Sequence, residues 1–253
     1  MSSKEKEFYE ENGYLLLENI FTNEEADFFN KCMRRHANQS FAAIMNPDRY
    51  DFLLDQDARP KSDITLSEVE ETSSLARSIL KDKRMVDILH KFHHSKNLIG
   101  VGSQFIFKEA YSDYASQAWR PHQDNFYPKT KNSSYVTLNW FLRDADEENG
   151  TIYCYPGSHK YGLLPAEDNI SFRETVGVNP GSECEIPDEL KDKKTNIIVP
   201  ANSIVLLNGN CIHGSYSNNS NRSRPWYSCC YVSEGAEYVV GKNSKRIEIA
   251  LDT

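Results

Sequence analysis

The chain has 253 residues, of which 39% are apolar, 26% charged and 11% aromatic, which suits one large, well-buried domain and excludes a disordered chain. A formal net charge of -8 leaves no extended basic surface, so the counterion release that sustains nucleic-acid binding is not available. There is no apolar run of about 18 residues to cross a bilayer, the opening MSSKEKEFYEENG is acidic where a targeting segment would be basic, and the ending EIALDT is neither a retention nor a peroxisomal address. A cytoplasmic protein without a membrane or nucleic-acid partner is expected.

In chain order, GYLLLENIF (13–21) reads as a strand, after which Thr22 can cap a helix with Glu24 and Glu25 in its first turn, running to about His36. The stretch 38–65, with Pro47 and Pro60, reads as loop and turns that cover part of an active site. From Leu66 to His94, apolar residues Leu75, Ile79, Met85, Leu89 and Phe92 recur at helical spacing around a charged break at Lys81 to Arg84, which predicts two helices. The pattern then turns to short aromatic, alternating runs separated by Gly, Asn, Pro and Ser: IGVGSQFIFKEA, SYVTLNWFLRDA, TIYCYPGSH, TNIIVPANSIVLLNGNCIHG and RPWYSCCYVSE. Helices first and strands after predict a mainly β protein with flanking helices, a double-stranded β-helix or jelly roll of the cupin kind. One domain spans 1–253, its first 95 residues a helical layer and lid and 96–240 the jelly-roll core. The six cysteines (Cys32, Cys154, Cys184, Cys211, Cys229, Cys230) show no paired spacing and read as buried free thiols, which disfavours a structural zinc site.

The segment WRPHQDNFY places His122 and Asp124 two apart, and in an extended chain such residues project from one face and can grip one metal. His213, in NGNCIHGS after the strand SIVLL, is the best third ligand. Two imidazoles and a carboxylate on one side of an ion form the facial triad of oxygen-activating iron(II) sites. Eleven residues on, Arg224 opens RPWYSCCYV. A hairpin through GSYSNNSNRS would return it to the neighbourhood of His213, where its guanidinium could hold a carboxylate bidentately.

Several stretches together resemble the phytanoyl-CoA dioxygenase family of iron(II)- and 2-oxoglutarate-dependent oxygenases: NGYLLLENIFTNEEADFF, SQFIFKEA, PHQD, DADEENGTIYCYPGSHK and HGSYSNNSNRSR. The resemblance implies that His122, Asp124 and His213 bind Fe(II), that Arg224 and Ser215 hold the distal carboxylate of the co-substrate 2-oxoglutarate, and that O2 is the oxidant. Lys108 matches an inward lysine of some members, and alternation places Gln104 and Ile106 on its face, where they would touch co-substrate or substrate. Along SYVTLNWFLR, alternation separates an apolar face (Val136, Leu138, Trp140, Leu142), expected under the helices, from a face presenting Thr137 and Asn139 to the cavity. Members often carry Trp or Ser at the Asn139 position, a departure that leaves the shape of the substrate pocket open. His159 in PGSHK reads as a structural turn histidine, His93 and His94 as helix-end residues, and Cys229 and Cys230 as core thiols.

The expected activity is hydroxylation, or else desaturation or cyclisation, of a free small-molecule metabolite with release of succinate and CO2, by a monomer or weak homodimer. Asp124 argues against a halogenase, whose members lack that carboxylate. The alternatives are acyl-CoA 2-hydroxylation within the same family, a cupin-type isomerase or hydrolase using another divalent ion, and a non-catalytic binding module. Arg120, Lys129 and Lys131 flank the metal segment as a solvated loop cluster or an anion attractor.

Overall fold

The computed structural model describes residues 3–45, 66–67, 69–111, 115, 118–168, 182–237 and 247–251. The first turns belong to a helix absent from the sequence expectation, α1 (Ser3–Asn12), which precedes strand β1 (Tyr14–Leu17). The next helix, α2 (Asn23–Met45), starts where expected but runs beyond His36. Its N-terminus is a capping box: Glu25 N donates to Thr22 Oγ1 at 3.2 Å and Thr22 N to Glu25 Oε2 at 2.8 Å. The rest of the stretch read as a covering loop, 46–65, lies outside the described residues.

After β2 (Leu66–Ser67) come three helices where two are predicted: α3 (Val69–Thr72), α4 (Ser74–Leu80) and α5 (Lys83–Phe92). Each of the last two has a side-chain cap that divides the run, with Ser73 accepting from Ala76 N at 3.2 Å and Asp82 from Arg84 N at 2.9 Å. His93 ends α5, its Nε2 2.8 Å from the Ser134 carbonyl.

The remaining strands are β3 (Leu98–Ile106), β4 (Trp119–His122), β5 (Val136–Phe141), β6 (Ile152–Cys154), β7 (Ala166–Asp168), β8 (Ser182–Cys184), β9 (Thr195–Asn196), β10 (Ser203–Asn208), β11 (His213–Ser215), β12 (Trp226–Ser233) and β13 (Ile249–Ala250). The larger sheet runs β1-β10-β5-β12-β3-β13 with β2 also on β3, the smaller β4-β11-β6-β9, and β7 pairs β8. All pairings are antiparallel. The fold is the predicted jelly roll, although the larger sheet also takes β1, β2 and β13 from outside the 96–240 stretch.

Alternation along β5 divides the molecule as expected. Val136, Leu138, Trp140 and Leu142 join one core with Phe29 and Met33 of α2, Leu80 of α4 and Met85, Leu89 and Phe92 of α5. Trp140 stacks on Phe21 at 4.0 Å and Phe29 at 5.2 Å between ring centres. A second core between the sheets gathers Phe141, Ile152, Cys154, Val205, Leu207, Cys211 and Trp226. The six cysteines are free, five of them buried.

Candidate metal centre

Strand β4 ends on His122, and Asp124 opens a 3-10 turn (Asp124–Phe126) after the extended Gln123. The two are therefore not on one strand as expected. They still converge because Gln123 is extended and its side chain is anchored inward: Nε2 donates to the carbonyls of Gly162 at 2.8 Å and Asn210 at 2.6 Å, and Oε1 accepts from Leu164 N at 2.7 Å. Asn125 secures the other flank, with its Nδ2 2.9 Å from Asn210 Oδ1 and its Oδ1 accepting from Thr130 N at 2.9 Å. A buried polar network thus holds the turn that carries the carboxylate.

His213 opens β11 and is the direct cross-strand partner of His122. The approach of β11 to β4 requires Gly214, since a Cβ there would overlap the Trp119 carbonyl oxygen and the Tyr153 hydroxyl. Tyr153 itself donates to that carbonyl at 3.1 Å. Gly214 lies inside the HGS stretch that carries the family resemblance, but its role emerges only with strand pairing.

Both imidazoles are fixed by the strand backbone. His122 Nδ1 lies 2.8 Å from the Arg120 carbonyl and His213 Nδ1 3.0 Å from the Cys211 carbonyl. A carbonyl only accepts, so each Nδ1 carries the proton and each Nε2 a lone pair, the tautomer a metal needs. Those lone pairs face Asp124 Oδ1, at 3.5 Å from His122 and 3.6 Å from His213. Among the described residues this is the only group of three His, Cys, Asp or Glu able to share an ion, its ligand atoms lying within 4.8 Å of one another.

The electrostatics suit a cation. Burial pushes the Asp124 carboxyl up, but His213 and His122 beside it, with the Thr137 hydroxyl, more than offset this and hold it at about 2. Burial drives His213 below the usual imidazole range, which favours the neutral ligand form. Two imidazoles with Nε2 available and one carboxylate, all preoriented, fit iron(II).

The segments that carry the residues expected around the co-substrate are joined by a different route from that predicted. β11 belongs to the smaller sheet and β12 to the larger, so no hairpin joins them. The connection crosses between sheets and is held at Lys108, whose carbonyl accepts from Arg224 N at 3.3 Å and from Asn218 Nδ2 at 3.0 Å. Arg224 is 0% exposed and its guanidinium covers the Trp226 ring at 4.2 Å. Lys108 lies beyond the end of β3 rather than on it, at a positive φ of 42°. Its Nζ meets Ser215 Oγ at 3.1 Å and the Tyr216 carbonyl. Gly150, at φ 90°, makes room: a Cβ would come within 2.9 Å of Lys108 Cε.

On the inner face, Asn139 aligns with Ser228 and Ser228 with Gln104. Gln104 is exposed and Asn139 buried. Thr137 Oγ1 lies 3.4 Å from Asp124 Oδ2. The flanking cations are engaged: Arg120 pairs with Glu183 at 2.7 Å, Lys131 with Glu237, and Lys129 covers Phe126 at 4.6 Å. His159 is a turn residue, its Nε2 3.1 Å from the Glu10 carbonyl.

The profile of the family described as phytanoyl-CoA dioxygenase (PhyH) matches residues 9–226. The chain belongs to the phytanoyl-CoA dioxygenase family. As a member of that family it is similar to the phytanoyl-CoA dioxygenase of Arabidopsis thaliana, 25% identical over 260 residues that cover 92% of this chain and 89% of the relative. It is likewise similar to a probable alpha-ketoglutarate-dependent hypophosphite dioxygenase of Stutzerimonas stutzeri, 26% identical over 95% of this chain and 82% of that one. In fold it matches the epimerase SnoN, solved with Fe3+, alpha ketoglutarate and nogalamycin RO, at a TM-score of 0.69 and 16% identity over 99% and 94% of the two chains. Among the described residues no helix is long and apolar enough to cross a membrane.

Proposed function

We propose that this member of the family is an iron(II)- and 2-oxoglutarate-dependent dioxygenase that oxidises a free small molecule, hydroxylation being the default outcome. The observation that carries the proposal is the convergence of His122 Nε2, His213 Nε2 and Asp124 Oδ1, with both Nδ1 atoms tied to backbone carbonyls. These three residues would hold the iron. Arg224 would pair with the distal carboxylate of 2-oxoglutarate, assisted by the Ser215 hydroxyl and the Lys108 ammonium. The names of the hypophosphite dioxygenase and of SnoN support the same cofactor and co-substrate.

Iron and 2-oxoglutarate, when bound with dioxygen, supply an oxidant able to take hydrogen from carbon. The chain's own part is geometric. The cross-strand pair His122 and His213 would hold the ion together with Asp124. Burial of Arg224 among Trp226 and Phe141 would give an ion pair with that carboxylate a low-dielectric setting, which would strengthen it. Gln104 and Ser228, beside Asn139 on the inner face, supply polar groups for a substrate.

Succinate release from 2-oxoglutarate tests the proposal. Asp124→Ala should abolish it, and an Asp124→Ala variant that produces succinate at the wild-type rate would sink the reading. A second reading, acyl-CoA 2-hydroxylation, has the name of the Arabidopsis relative behind it. Screening free metabolites and acyl-CoA thioesters side by side for stimulated succinate release decides between the two.

A further inference from the structure

The polar groups behind Asp124 form a chain with a defined direction. Asn139 Nδ2 lies 3.1 Å from the Val205 carbonyl, its register partner on β10, and 3.1 Å from Thr137 Oγ1. A carbonyl only accepts, which orients the amide with nitrogen towards Val205 and spends one N–H on each partner. The Thr137 oxygen therefore accepts from Asn139, and its single proton is available to Asp124 Oδ2 at 3.4 Å. An ionised carboxylate only accepts, so every donor in the chain finds an acceptor. The other oxygen, Oδ1, is the one that faces both imidazoles.

We propose that Asn139 is a positioning residue of the metal centre, acting through Thr137 to engage Asp124 Oδ2 so that the carboxylate offers a cation Oδ1 alone. The inference rests on reading the His122, Asp124 and His213 cluster as the iron site. Ligation through both carboxylate oxygens would fill a position on the ion that 2-oxoglutarate and dioxygen need. With an apolar side chain at 139, the Thr137 hydroxyl is free to turn to another acceptor, and Asp124 Oδ2 loses its donor.

Co(II) is the probe, because calorimetry gives its affinity and its electronic absorption reports coordination number. Thr137→Val and Asn139→Leu should each weaken Co(II) binding about tenfold or more and alter the absorption spectrum. Thr137→Ser, which keeps the hydroxyl, should bind like the wild type. In the double variant the loss should equal that of Thr137→Val alone, because Asn139 acts only through that hydroxyl. A merely structural Asn139, tying β5 to β10, would lower the unfolding temperature without changing the spectrum. Asn139→Ala, which adds no bulk, is measured alongside so that a packing fault of leucine cannot decide the result. The proposal is overturned if Asn139→Leu and Asn139→Ala bind Co(II) with wild-type affinity and spectrum, or if their loss persists in full in the Thr137→Val background. The iron-site reading survives either of those outcomes, whereas a wild-type protein that binds no Co(II) overturns both.

Discussion

Arg224 shows how much one side chain's setting decides its chemistry. Its guanidinium is withdrawn from water and laid on the Trp226 ring at 4.2 Å, which fixes the plane in which a carboxylate can be met. A lysine placed there keeps the charge but lacks the fork. Arg224→Lys is accordingly expected to raise the KM for 2-oxoglutarate about tenfold or more, the loss of roughly one charge-assisted hydrogen bond, while leaving Co(II) affinity unchanged. An unaltered KM would remove Arg224 from the co-substrate site. Lys108 was visible in the sequence only as an inward lysine by family resemblance, on a strand that ends before it. Its contact with Ser215 arises because the chain leaves β3 at a positive φ and turns back under the crossing segment.

At the scale of elements, the metal centre depends on how closely β11 packs on β4. Gly214 occupies a place where a Cβ would overlap the Trp119 carbonyl on one side and Tyr153 on the other. Gly214→Ala must therefore push β11 away from β4 and separate His213 from its partner His122. The expected result is a destabilisation of about 1–3 kcal/mol, as for other overpacked sites, together with weakened Co(II) binding. A variant with wild-type unfolding temperature and affinity would show that the strands have slack. The alternation of β5 was legible because a strand covered by helices on one face and facing a cavity on the other needs two kinds of residue. Helix boundaries were less legible: the division of α3 from α4 and of α4 from α5 depends on caps by Ser73 and Asp82, residues equally at home in loops.

For the whole molecule, buried and half-buried histidines shape the response to acid. His36, His93, His159 and His213 are all held below the usual imidazole value of 6.5, with burial the leading cause in each. Because the folded values lie below the unfolded ones, the unfolded chain takes up protons that the folded chain refuses. The associated stability is complete above about pH 6.5 and is lost as the pH falls below it towards the folded values. Thermal unfolding of the metal-free protein should therefore move to lower temperature between about pH 7 and about pH 5. A midpoint that holds or rises on acidification would contradict this. His93 contributes visibly, since its Nδ1 accepts from Ser95 N at 3.0 Å and must give up that bond on protonation. His93→Gln should flatten part of the slope.

Strand alternation, the ligand types and their spacing are properties of the chain itself, so the jelly roll and the triad His122, Asp124 and His213 followed from the sequence. Arg224, Ser215 and Lys108 were singled out through family resemblance. Only the tertiary structure decided how they meet. His122 and Asp124 converge across the end of a strand, β11 and β12 lie in different sheets, and the Asp124 carboxylate has one oxygen towards the imidazoles and the other towards Thr137 and Asn139. Spacing along the chain sets which side chains share a face, but which atoms of two faces come within hydrogen-bond reach depends on the packing of sheets brought together from distant segments.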